Sequence, residues 1–309
     1  MIHKFQPSIS CYTGSITKIL NYYKIDQSEE NLFYSKKLLE LKCSSVYDGI
    51  YTNLECLTNA YLNDCGIVVR DIKLQHLSEL DKLIKKYGRL LLKIDCKNLT
   101  YAKVFKNAIT GQRKHYIVVT NITDKYIEII DSYIPSTPTT IYEGKLMLTK
   151  EKLMEMEFKY LDISKINKDV TINKVFLLDQ IIQGYFISVD EAYGQFISNL
   201  KGIGVSNADK EDGKILLYEM ATALSVSGTI ISRRMLCKLL KEIKLVPDTL
   251  ILELSRIEYK YNALRLLLLK SYVNLSQENL ESIIKKVQEL KAFESDKYNK
   301  VYKILNKLN

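Results

Sequence analysis

A chain of 309 residues, 47% hydrophobic and 26% charged, is long enough to bury a substantial core and too apolar to remain unfolded. Its formal charge of +9 is spread, +6 over residues 1–175 and +3 over 176–309. That distribution lacks the dense basic stripe of a nucleic-acid binder and suits an acidic partner protein reached by electrostatic steering.

The six cysteines form no CxxC pair and there are only three histidines, so no zinc site is expected and the thiols are expected to be reduced. The opening "MIHKFQPSIS" has no apolar core of a signal peptide. The longest apolar run, 215–231, is broken by Glu219 and Gly228 and reads as a buried helix and turn rather than a membrane span. A cytoplasmic protein is expected.

In chain order, apolar residues at Ile16, Ile19, Leu20 and Tyr23 have helical spacing and predict a helix over 11–23. A second helix is expected over 28–42, started by Ser28 or Asn31, and a third over 54–63. "GIVVRDI" (66–72) reads as a strand, and 77–88 as a helix stopped by Gly88. Three runs rich in β-branched and aromatic residues follow, at 89–96, 114–123 and 125–133. The last two are separated by a turn at Asp124 and predict a hairpin. A helix capped by Thr149 is expected over 149–158, and a terminal strand within 159–175.

From about 188 the pattern is helical. Ser188 and Glu191 make a capping box before a helix to about 200. A polar loop at 201–213 precedes helices at 214–226, 230–244, 248–273, 276–292 and 295–308. The expected architecture is α+β: a catalytic domain over 1–175 and an all-α domain over 176–309.

Cys11 stands where a loop becomes a helix, His115 begins one strand of the proposed hairpin, and Asp131 ends the other. In an antiparallel hairpin the last two share one open end. A carboxylate there can hold an imidazole in one tautomer, and the imidazole can take a proton from a thiol. The unpaired N–H groups of a helix N-terminus favour a thiolate. Gln6, with the Cys11 backbone N–H, is a candidate oxyanion hole. By residue type alone, each of the three side chains also fits a structural role.

The order Gln6, Cys11 opening an apolar helix, "HYIVV" from His115, and "YIEIID" ending at Asp131 resembles the papain-like cysteine peptidase fold. Within it the chain is similar to the double-glycine leader peptidases, over roughly residues 1–165. It departs from them in Tyr12 after the cysteine and Ser132 after the aspartate. The whole chain resembles soluble members of natural-product pathways, the amide-bond-forming enzymes of the butirosin and closthioamide type. That resemblance implies a Cys11–His115–Asp131 triad and no cofactor of its own. It also implies an acyl chain brought on the phosphopantetheine of an acidic carrier protein, and a small diamine acceptor such as 1,3-diaminopropane, with neither nucleic acid nor membrane as partner. A peptidase trimming a Gly-Gly leader, and a non-catalytic member of the fold, are the alternatives.

Overall fold

A computed structural model describes residues 8–43, 49–74, 76, 78–102, 114–123, 125–134, 141–148, 150–167, 173–205, 210–226 and 228–307. The chain forms two compact units that are discontinuous in sequence. One holds residues 1–32 and 61–170, the other 33–60 and 171–309. The sequence expectation was a contiguous division at 175/176, with 33–60 in the first part.

In the first unit, helix α1 (Cys11–Tyr22) begins behind Ser10, whose extended backbone and side chain cap it by accepting from the Thr13 N–H. Strands β3 (Val68–Ile72), β4 (Leu90–Asp95), β5 (Lys114–Ile122), β6 (Ile127–Asp131), β7 (Tyr142–Leu146) and β8 (Glu157–Asp162) make one antiparallel sheet in the order β3-β8-β4-β5-β6-β7. Their alternation sends Leu90, Leu92, Ile94, Ile117 and Val119 to one face. Helix α3 (Ser78–Tyr87) covers that face with Leu80 and Ile84, joined by Leu153 from the short α4 (Lys150–Met154). Gly88, at φ +68°, ends α3 in the left-handed conformation that glycine adopts freely. Helix α1 packs on β5 and β4, with Tyr12 edge-on to Tyr116 and the Ser15 hydroxyl donating to the Tyr116 carbonyl at 3.2 Å.

The second unit holds the two-residue ladder of β1 (Lys42–Cys43) and β2 (Ile50–Tyr51). Its helices are α5 (Lys174–Lys201), α6 (Lys210–Val226), α7 (Thr229–Ile243), α8 (Asp248–Val273) and α9 (Gln277–Leu305). Helix α2 (Leu54–Asp64) contains the unit boundary at 60/61.

A buried ionic hub organises these helices. Arg233 of α7 donates from Nε to Glu294 of α9 at 2.8 Å, with 1% and 0% of the two side chains exposed. Tyr193 of α5, Tyr261 of α8 and Tyr298 of α9 each donate to the Glu294 carboxylate at 3.0 Å. The carboxylate therefore takes four donors from four helices.

Several expected elements differ. No α-helix forms over 28–42; a 3-10 turn at Asn31–Phe33 and further turns replace it. Ser28 and Ser35 accept from the Asn31 and Lys37 N–H groups, local bonds that compete with a helical ladder. Ser188 is not a cap but an interior residue of α5. Its hydroxyl donates back to the Gly184 carbonyl and accepts from the Leu41 N–H. The helices expected at 276–292 and 295–308 are one, because Glu294 is buried rather than solvated at a break. The helix over 149–158 stops at Met154, and Glu157 and Phe158 join β8; Thr149 and Asp124 lie outside the described residues.

The hub yields a stability expectation. Glu294→Ala strands the Arg233 guanidinium and three hydroxyls without their acceptor, and removing one partner of a buried ion pair costs about 3–5 kcal/mol. Urea unfolding should show a loss of that size, whereas Glu289→Ala, at an exposed pair with Lys286, should shift stability by less than about 1 kcal/mol.

Candidate active site

The hairpin register explains why His115 and Asp131 meet. Val118 pairs with Ile130, so His115, three residues before one, and Asp131, one after the other, lie diagonally on the same face at the end of the sheet. The His115 Nε2 reaches both carboxylate oxygens, Oδ1 at 3.0 Å and Oδ2 at 2.9 Å. That contact assigns the Nε2–H tautomer and leaves Nδ1 for the thiol of Cys11, with which the ring is hydrogen-bonded. His115 is 4% exposed and Asp131 0%, while Cys11 is half-buried. Of the three side chains, Cys11 is the most exposed.

Burial pushes the His115 imidazole down, since a charged ring loses its water. The negative charge of the Cys11 thiolate and the hydrogen bonds to Asp131 and Cys11 more than offset this, and the ring is raised to about 10.

Asp131 acts as an acceptor only. Besides the imidazole it receives the Tyr101 hydroxyl on Oδ2 at 2.5 Å and the Tyr133 backbone N–H on Oδ1 at 3.0 Å. Tyr101 is fixed by stacking on Tyr142, centroids 4.0 Å apart and planes at 5°. Burial and the adjacent carboxylate charge raise its hydroxyl above the ordinary tyrosine range, so it stays a donor.

The approach to Cys11 is held from below by Glu29. Its Oε1 accepts the Ile9 N–H at 2.8 Å, the Ser10 N–H at 3.1 Å and the Thr13 hydroxyl at 2.5 Å. Burial raises this carboxyl, and those three bonds pull it back toward the ionised form. Gly14 lets the first turn of α1 sit close. A Cβ there would lie 2.4 Å from Ser8 Oγ and 2.5 Å from Ser132 Oγ, nearer than side chains approach. The Ser132 hydroxyl, fully buried beside Asp131, has no hydrogen-bond partner among the described residues. Tyr133 lies near enough to Cys11 and Glu29 that burial, then their charges, raise its phenol.

The structure thus brings Cys11, His115 and Asp131 together, as the sequence expects. Gln6 lies outside the described residues. The Cys11 N–H, first in its helix, has no intrahelical acceptor and points from the helix N-terminus. Sequence reasoning missed Tyr101, Glu29, Gly14 and Tyr133. Of these, only Gly14, in the first turn of an otherwise ordinary helix, gave a local signal. The tyrosines of α1 and of its C-terminal cap make packing and hydrogen-bond contacts. Tyr12 meets Tyr116, Tyr22 carries the Arg89 guanidinium over its ring, and Tyr23 donates to the Tyr87 carbonyl at 2.7 Å. Among the described residues no three His, Cys, Asp or Glu side chains cluster as metal ligands would.

Compared with known proteins, the chain matches no family model, and no curated protein matches it.

Two outcomes are expected. Iodoacetamide at pH 7 should label Cys11 first. Burial holds the Cys237 thiol up at about 11, which leaves roughly one part in ten thousand as thiolate. Peptide mapping that found Cys237 labelled as fast as Cys11 would contradict this ordering. Tyr101→Phe keeps the stack on Tyr142 but removes a donor from Asp131. The Cys11 alkylation rate should then fall roughly 10-fold with the melting temperature little changed, as for other groups that orient a reactive residue.

Proposed function

We propose that this protein is a cysteine-dependent acyltransferase of papain-like fold. In this reading it forms an amide bond between a thioester-bound acyl or peptidyl chain and a small amine, as the amide-bond-forming enzymes of closthioamide-type biosynthesis do. The observation that carries the reading is the buried His115 held between a carboxylate with three donors and a half-open thiol at a helix N-terminus.

The chemistry follows from the charges. The Cys11 thiolate attacks the carbonyl carbon of a carrier-bound thioester. As the tetrahedral adduct collapses, the carbon–sulfur bond to pantetheine breaks, and His115 gives its Nδ1 proton to the departing thiol. The products are an acyl-cysteine, a neutral imidazole and a free pantetheine thiol. Acylation also removes the thiolate charge, the largest influence raising His115. What then remains is burial, which favours the neutral ring, against the bond to Asp131. The imidazole becomes a base at the moment an amine arrives.

The neutral amine attacks the acyl-cysteine, His115 takes its proton, and Cys11 leaves as the thiolate. The first pair is restored. The Cys11 backbone N–H supplies one oxyanion donor, and Gln6 is the proposed second. The acyl group would sit on the half-open sulfur, where an amine prevails over water by its greater nucleophilicity and by proton transfer to His115. The mild basic surplus agrees with an acidic carrier protein as donor.

The decisive measurement is intact-protein mass spectrometry of wild type and Cys11→Ala after exposure to an acyl thioester on pantetheine and on a carrier protein. Wild type alone should gain the acyl mass, and 1,3-diaminopropane should discharge it as an amide at least 10-fold faster than water does. Asp131→Asn should lower the acylation rate by roughly 1000-fold or more through loss of the correct tautomer. Equal discharge by water would replace the reading with a hydrolase, and no adduct from either donor would end it.

A further inference from the structure

Glu29 carries a charge that the proposed chemistry does not use. The hydrogen bonds it accepts among the described residues all end on Oε1: the Ile9 N–H at 2.8 Å, the Ser10 N–H at 3.1 Å and the Thr13 hydroxyl at 2.5 Å. Oε2 takes no hydrogen bond and no ion pair among the described residues. The side chain is half-buried rather than sealed.

The bond to the Ser10 N–H holds this carboxylate against the residue that precedes the nucleophile. Tyr133 feels the charges of both Cys11 and Glu29, so thiol and carboxylate border one neighbourhood. Lys18, two turns along α1 from Cys11, lies in the field of Glu29 and Glu143 together. Two carboxylates set against one ammonium leave this side of the helix negative, a field that attracts a further cation.

The chemistry of the remaining oxygen defines that cation. A guanidinium is recognised by two carboxylate oxygens side by side, and Oε1 is already engaged by three donors. A metal ion needs further ligands, and no three His, Cys, Asp or Glu side chains cluster among the described residues. A primary ammonium is anchored through a single acceptor. The nucleophile that discharges acyl-Cys11 must be a neutral amine. One small molecule meets both demands when it carries two amino groups, one charged and bound, the other neutral and reactive.

We propose that Glu29 determines acceptor specificity, its Oε2 binding the distal ammonium of a short aliphatic diamine while the other nitrogen attacks the thioester on Cys11. This rests on the acyltransferase reading and deepens it. The attacking nitrogen bonds to the acyl carbon as the carbon–sulfur bond breaks, its proton passes to His115, and the distal ammonium keeps its charge throughout. The test uses acyl-Cys11 of wild type and of Glu29→Gln, formed from an acyl thioester of pantetheine. Each is mixed with 1,3-diaminopropane, with propylamine, or with β-alanine, which has a carboxylate where the diamine has its second ammonium. Discharge is followed by rapid-quench intact-protein mass spectrometry.

The preference for the diamine over propylamine should fall at least ~10-fold in Glu29→Gln, and β-alanine should gain relative to propylamine. Intrinsic differences among the amines are the same for both proteins and cancel in this comparison. Glutamine keeps an acceptor oxygen for the three donors, and damage to the loop would slow all amines alike without changing their ratios. Without any acyl donor, the diamine should also protect wild-type Cys11 from iodoacetamide, with half-protection needing at least ~10-fold more diamine in Glu29→Gln. Normal acylation with the same amine preference in both proteins would overturn the proposal and leave the acyltransferase reading standing. Protection that depends on Glu29, with no acyl adduct on wild type, would support the ammonium site and end the acyltransferase reading.

Discussion

The seating of the first turn of α1 against the ends of β5 and β6 is the constraint from which the site follows. A thiol at a helix start has unpaired N–H groups behind it, and an imidazole within hydrogen-bond reach adds a base and a counter-charge. Here that reach is set by a missing side chain. Without a Cβ at Gly14, Ser8 and Ser132 close on the helix, and Ser132 is the neighbour of Asp131. Glu29 then fixes the preceding loop through two backbone N–H groups and the Thr13 hydroxyl. Hydrogen bonds and close packing hold this seating.

Burial makes the electrostatics of the triad conditional. An imidazolium with 4% of its surface exposed is unfavourable unless charge compensates it, and the compensation comes chiefly from the sulfur. A permanent partner such as Asp131 would hold the ring in one state throughout a reaction. In the proposed reaction the sulfur's charge disappears on acylation, so the proton affinity of the ring would follow the chemistry. Tyr101 and the Tyr133 N–H matter for the same reason. By saturating Asp131 with donors they keep it an orienting acceptor instead of a competing base.

The meeting of Cys11, His115 and Asp131 was legible in the sequence because each sits at an element boundary that local pattern reveals. Ser10 caps the helix before Cys11, and alternating β-branched runs place His115 and Asp131 at one end of a hairpin. The supporting residues were not legible. Glu29 and Tyr101 lie in turns that periodicity does not describe, and their roles depend on contacts with residues 19 and 30 positions away. The segment 28–42 and Ser188 show the converse failure. Leu32, Leu38, Leu39 and Leu41 have helical spacing and are buried, yet the serines around them close turns instead. Ser188 and Glu191 match a capping box but lie inside a helix, because the hydroxyl serves the Leu41 N–H. A short polar motif names a cap only when no tertiary partner claims its side chain.

Tyr259 and Tyr261 of α8 show how far residue type alone falls short of role. Tyr261 is 0% exposed and gives its hydroxyl to Glu294; Tyr259, two positions along, is 73% exposed. On the inner side, one carboxylate receiving Arg233 and three tyrosine hydroxyls permits a single register of four helices, since any slip leaves a buried polar group unpaired. Directional bonds of this kind specify the arrangement where apolar contacts alone tolerate several.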